Sequence, residues 1–154
     1  ANVLYSQFGR PLLGDFGIAT LVGATNQDVM GASLPWAAPE VLLNQQADAR
    51  ADVYSLAATV YTALSGHAPF ATDDALTRRE YITQLAPLCL GEGRPQGADA
   101  PEKAAAFERL DEVLMAAMER EVDKRTATAV EFGRQLQEVQ AALGHQPTDL
   151  EVPE

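Results

Sequence analysis

The residues with the most chemical content lie near the start of the chain. Leu13-Gly14-Asp15-Phe16-Gly17 runs a short apolar segment into a carboxylate that follows Gly14 and precedes Phe16-Gly17. A carboxylate at the end of a strand faces a cleft. There it can hold Mg²⁺, which takes hard oxygen ligands and shares them with substrate phosphates. Gly17 has no Cβ and lets the chain turn sharply after Phe16. Asn2 stands upstream, followed by Val3-Leu4, and Ala38-Pro39-Glu40 stands downstream. A glycine-rich phosphate cradle is missing: Gly91-Glu92-Gly93 lacks the third glycine of that pattern and falls between predicted helices. The only lysines, Lys103 and Lys124, come late. A single cysteine, Cys89, excludes an internal disulfide and a cysteine-cluster metal site, and His67 and His145 lie far apart. These three read as a buried thiol and two surface or loop imidazoles.

The elements that must position these residues follow from periodicity and breakers. Val3-Leu4-Tyr5 and Pro11-Leu12-Leu13 flank a five-residue connection containing Gly9, which predicts a hairpin over 2–14. Pro11 can begin a strand but not sit at its centre. Residues 15–35 are rich in Gly, Asp, Asn, Thr and Ser with no sustained period, a loop length that is usually functional. Helices follow. A short one covers 38–43, with Pro39 tolerated in its first turn. The next covers 51–65, where Val53, Leu56, Ala57, Val60, Tyr61 and Leu64 keep the helical period and little polar face remains. That predicts a buried central helix, ended by Gly66. Thr72 caps a predicted helix over 73–85, and breakers make 91–101 a loop. Residues 104–119 place Phe107, Leu110, Leu114, Ala117 and Met118 on one face. Residues 127–143 do the same with Phe132, Leu136, Val139 and Leu143, capped by Thr126 or Thr128. Residues 144–154 are a polar, acidic tail expected to fray. The fold class is mainly α with a short β-hairpin.

Composition sets outer limits. The chain has 154 residues, 47% hydrophobic and 21% charged, which is a globular composition rather than a disordered one. No stretch approaches the ~18 apolar residues of a membrane span, so no membrane contact is expected of this segment. Ala1 to Leu4 carries no targeting pattern. A net charge of −11 argues against a nucleic-acid partner, which calls for a basic face.

Taken in order, these segments resemble the C-terminal lobe of a protein kinase, most like the bacterial Ser/Thr type. Asn2-Val3-Leu4 resembles the end of the catalytic loop. Asp15-Phe16-Gly17 and Ala38-Pro39-Glu40 resemble the two ends of the activation segment. Asp52-Val53-Tyr54-Ser55-Leu56 is similar to the start of the family's central helix, and Ser65-Gly66-His67-Ala68-Pro69-Phe70 to the segment after it. Asp123-Lys124-Arg125, with Thr126 to Phe132, is similar to the Arg region before the last helix. The resemblance implies a truncated, kinase-like C-lobe of the α+β family over 1–143, with 144–154 as tail. Three positions depart from the pattern: Ala32 and Ala57 where Gly is usual, and Val122 where Pro is common.

The resemblance also implies roles. Asp15 would hold the Mg²⁺ that bridges the ATP phosphates, Asn2 would help hold a second, and Phe16 and Gly17 would set the position of Asp15. Ser33 aligns with the hydroxyl that orients the substrate. Thr20 and Thr25 read as phosphosites, where a phosphate would add about 1.5 to 2 negative charges, or as ordinary loop hydroxyls. Trp36 either shapes a docking pocket or is a core aromatic. Glu40 and Arg125 would pair inside the lobe, and Asp52 would bond backbone amides of the catalytic loop. No residue of this chain supplies the catalytic base; that Asp is expected before Ala1. The Gly-rich loop, strand Lys and its Glu partner are also expected elsewhere.

The implied parent is an ATP- and Mg²⁺-dependent Ser/Thr protein kinase acting on protein substrates. It is expected to be cytoplasmic, with a membrane anchor after Glu154 left open, and the fragment's own partner is its missing N-lobe. The fragment alone is expected to be inactive. The alternative is a pseudokinase that works as a binding scaffold. Arg125→Ala in the intact protein should loosen residues 18–38, read as faster proteolysis in that loop; an unchanged cleavage rate would count against the pairing.

Overall fold

Helices dominate where the apolar period is helical. A computed structural model of the chain describes residues 3–7, 11–13, 34–43, 45–70, 72, 74–87, 89–90 and 100–150. The chain divides into two units, Ala1–Ala32 and Ser33–Glu154. In the first unit, β1 (Val3–Tyr5) and β2 (Pro11–Leu13) pair antiparallel, with Val3 opposite Leu13, Leu4 opposite Leu12 and Tyr5 opposite Pro11. Pro11 sits at the first position of its strand, where a missing N–H is tolerated.

The second unit holds five α-helices among the described residues. They are α1 (Pro39–Leu42), α2 (Ala49–Ser65), α3 (Ala75–Gln84), α4 (Pro101–Ala117) and α5 (Ala129–Ala142). Short 3-10 turns lie at Leu34–Trp36 and Val122–Lys124. Helix α4 packs on α5 and α2, α2 also touches α5, and α1 packs on α3. The core gathers Tyr54 and Tyr61 from α2, Val113 and Leu114 from α4, and Phe132 from α5. No helix among the described residues is long and apolar enough to cross a membrane.

Four helix starts differ from or sharpen the sequence expectation; α4 begins at Pro101, three residues before the expected 104 and at the end of the expected loop. Helix α2 begins at Ala49, two residues earlier than its periodicity suggests. Asp48 caps it by accepting from the Arg50 N–H at 2.8 Å. Hydrogen bonds from Arg50 hold the Asp48 carboxyl at about 2, below its ordinary 3.8. A depressed carboxyl contributes fully above its unfolded pKa, so this cap persists to about pH 4 and is lost as pH falls through about 2. Asp74, not Thr72, caps α3: its carboxylate accepts from the N–H of Thr77 at 2.6 Å, and a carboxylate is the stronger acceptor. Thr128 caps α5 by accepting from Glu131 N at 3.1 Å, while Glu131 Oε2 accepts from Ala127 N at 3.3 Å. This reciprocal pattern closely follows a capping box.

Helix α2 is buried on one side rather than all round. Ala51, Tyr54, Ala57, Ala58 and Tyr61 face inward, whereas Leu56 is 44% exposed and Thr59 and Ala63 lie on the open side. Gly66 ends α2 at φ +81°, the left-handed conformation that a Cβ disfavours, and its N–H donates to Thr62 O. Cys89 is exposed, not buried. The segment after α5 is hydrogen-bonded at its start. His145 N donates to Gln140 O at 2.9 Å, Thr148 N to Gln140 Oε1 at 3.3 Å, and Gln137 Nε2 to Thr148 O. Leu150 lies over Gly133, so close that a Cβ there would stand 3.0 Å from it.

Thr128→Ala should cost about 1 kcal/mol, the usual value of a lost cap. Phe132→Ala should cost about 3–5 kcal/mol through cavity formation. Urea unfolding of the whole protein measures both, and equal losses would contradict the burial pattern.

Candidate functional site

The most developed polar arrangement in the second unit is built around a buried arginine. Arg125 follows the turn Val122–Lys124, between α4 and α5. Its side chain is 0% exposed and that of Glu40 is 4% exposed. The two form a fork-to-fork pair: Arg125 Nη1 donates to Glu40 Oε1 at 2.6 Å and Nη2 to Oε2 at 2.9 Å. Such bidentate, charge-assisted bonds are both strong and directional.

The remaining donors are also used. Arg125 Nε donates to Glu119 O at 2.8 Å, Nη1 to Arg50 O at 2.9 Å, and Nη2 to Arg120 O at 3.4 Å. A guanidinium carries five N–H groups, and here all five have acceptors. The cation also lies 5.1 Å from the centre of the Tyr54 ring, an attractive placement over a π face. Burial pushes the Tyr54 hydroxyl well above its ordinary pKa, against the opposing pull of Arg125.

Local structure explains why these groups meet. Pro39 starts α1 at a position where its missing N–H costs nothing, and this places Glu40 in the first turn facing inward. The turn Val122–Lys124 tightens the link between α4 and α5. Thr126 N donates to Ala116 O at 3.2 Å and ties the link to the end of α4. Trp36 supplies a second attachment of the same segment. Its Nε1 donates to Thr62 Oγ1 at 3.0 Å, and that hydroxyl donates to Ala58 O at 2.7 Å. Residues 34–42 are therefore tied to α2 both at Arg50, through Arg125, and at Thr62. Those positions are about 18 Å apart along the helix at 1.5 Å per residue.

The structure thus brings Glu40 and Arg125 together and joins Trp36 to α2. Asp52 sits in the first turn of α2 and is exposed. Asn2, Asp15, Phe16, Gly17, Thr20, Thr25 and Ser33 lie outside the described residues. Sequence reasoning missed Arg50 and its carboxylates Asp48 and Asp123, and also the buried Asp111, which accepts from Leu90 N at 2.9 Å. An Arg two positions after a capping Asp was the one local signal for the first group; Asp111 looks in sequence like any polar residue of α4.

Residues 1–136 match the protein kinase domain family, and the chain belongs to that family. It is similar to bacterial serine/threonine-protein kinases. PknK of Mycobacterium tuberculosis is 34% identical over 154 residues, covering 99% of this chain and 13% of PknK. PknL of the same species is 33% identical over 149 residues, covering 92% of this chain and 34% of PknL. PknJ of Mycobacterium bovis is 47% identical over 78 residues, covering 46% of this chain and 13% of PknJ. The chain therefore spans only a small part of the curated relatives it matches most fully.

Glu40→Ala should destabilise the whole protein by about 3–5 kcal/mol, because it strands a buried cation. Replacing both partners by apolar residues, Glu40→Leu with Arg125→Met, should cost much less. A double-mutant cycle by urea unfolding checks this, and additive losses would mean that the two groups do not act as a pair.

Proposed function

We propose that this chain is the C-lobe portion of a cytoplasmic bacterial Ser/Thr protein kinase that transfers the γ-phosphoryl of ATP to hydroxyls of protein substrates. The observation that carries the reading is the buried Glu40–Arg125 fork, which joins the Ala-Pro-Glu helix to the Arg turn within a chain of this family. In this proposal the lobe portion covers 1–143 and the remainder is a tail.

Asp15 and Asn2 are the proposed metal donors. A carboxylate and an amide oxygen are the hard ligands Mg²⁺ takes, and one Mg²⁺ supplies charge neutralisation between the ATP phosphates. Phe16 and Gly17 set the position of Asp15. Ser33 and Trp36 belong to the surface that receives the protein substrate. Thr20 and Thr25 are candidate phosphosites between Gly17 and Ser33, and Asp52 braces the catalytic loop. These 154 residues contain no Gly-rich phosphate loop and only two lysines, Lys103 and Lys124, so the 154-residue segment alone is proposed to be inactive.

The test uses the full-length protein that contains this chain. Mg-ATP binding and transfer to protein hydroxyls are expected, both lost in Asp15→Asn while the melting temperature stays within a few degrees. Binding without transfer would identify a scaffold instead. The absence of both binding and transfer would overturn the reading.

A further inference from the structure

The turn that delivers Arg125 is held from a second direction. Arg50 is the second residue of α2, directly after Ala49 and its cap Asp48. A cation in the first turn of a helix opposes the helix dipole, which favours anions there. Something other than helix formation must therefore make Arg suitable at this position.

The geometry supplies the reason. Arg50 Nε reaches both Asp48 oxygens at 3.1 Å, and Nη2 reaches Asp48 Oδ2 at 2.7 Å. Nη1 points away to the distant turn, donating to Asp123 Oδ1 at 3.0 Å and to Val122 O at 3.1 Å. The Arg50 carbonyl meanwhile accepts from Arg125 Nη1 at 2.9 Å. One residue thus holds Val122 and Asp123 through its side chain and Arg125 through its backbone.

The ion pair itself contributes little to stability. Asp123 is 97% exposed and the Arg50 side chain 30%. Exposed pairs of this kind are weak. What the arrangement fixes is direction: a planar fork with donors on both sides spans Asp48 and the turn at once, which a single ammonium cannot do.

We propose that Arg50 is a positioning residue for the Glu40–Arg125 pair, clamping the turn 122–125 so that Arg125 is presented to Glu40 and α1 is seated. The functional consequence rests on the kinase reading above: α1 ends the proposed activation segment, so its seating governs how protein substrate is received.

The experiment uses the full-length protein with Arg50→Ala, Arg50→Lys and Asp123→Asn. Asp48 keeps its capping carboxylate in all three, so α2 retains its cap. Hydrogen exchange should quicken about fivefold over 119–126 and 38–43 in Arg50→Ala, the scale of a lost exposed pair. Asp123→Asn should quicken exchange over 119–126, and Arg50→Lys should fall between Arg50→Ala and the parent. The global melting temperature should move little. In steady-state phosphotransfer, Arg50→Ala should raise KM for protein substrate while KM for ATP stays fixed.

Unchanged exchange over both segments in Arg50→Ala and Asp123→Asn would overturn the proposal and leave Arg50 as a partner of the helix cap alone. Equal changes in both KM values would also overturn it. If the parent transfers no phosphate, the kinase reading fails, and the exchange data still decide the clamp.

Discussion

A guanidinium removed from water loses a large hydration energy, and attraction to one carboxylate does not always repay it. Arg125 meets this constraint by giving each of its five N–H groups an acceptor and its face an aromatic ring. Those acceptors come from α1, the start of α2 and the start of the α4–α5 link. The helices must therefore approach one another in a way that serves this one side chain. The apolar core supplies the driving force, but it is tolerant of small shifts. The fork is not tolerant, and it sets the register of Pro39–Leu42 against the rest of the unit.

The seating of residues 34–42 follows from this. One tie is charged and buried, at Glu40. The other is a neutral chain of hydrogen bonds from Trp36 through Thr62 to Ala58. Two ties well separated along α2 fix both the position and the slope of the segment, whereas one would leave it free to pivot. Arg50 adds a brace on the turn that carries the same arginine. The surface around α1 thus owes its shape to residues 85 positions apart in the chain.

Much of this architecture was legible in the sequence, and the limits have physical causes. The apolar period marked α4 and α5 well, because Phe107, Leu110, Leu114 and Phe132 all face the core they share. Periodicity overstated the burial of α2, since Leu56 and Ala63 are apolar without having inward neighbours. Caps were legible where the helix start was: Thr128 was one of two candidates for α5, while a helix predicted from residue 73 put Asp74 inside it and left the cap to Thr72. The Glu40–Arg125 pair follows from family resemblance alone, since no local pattern links residues so far apart. Arg50 escaped notice because its role depends on tertiary contact. The expected metal donors lie outside the described residues, so their arrangement rests on sequence and kinship.

The indole of Trp36 gives this segment an optical consequence. It is the single tryptophan of the chain, and its N–H is hydrogen-bonded to a hydroxyl on α2. Indole emission responds to the polarity and hydrogen bonding around the ring, so light from this one residue reports on whether residues 34–42 are docked. In the isolated 154-residue chain the protein carries its own fluorophore at a joint that matters, with no competing indole to dilute the signal and no label to disturb it.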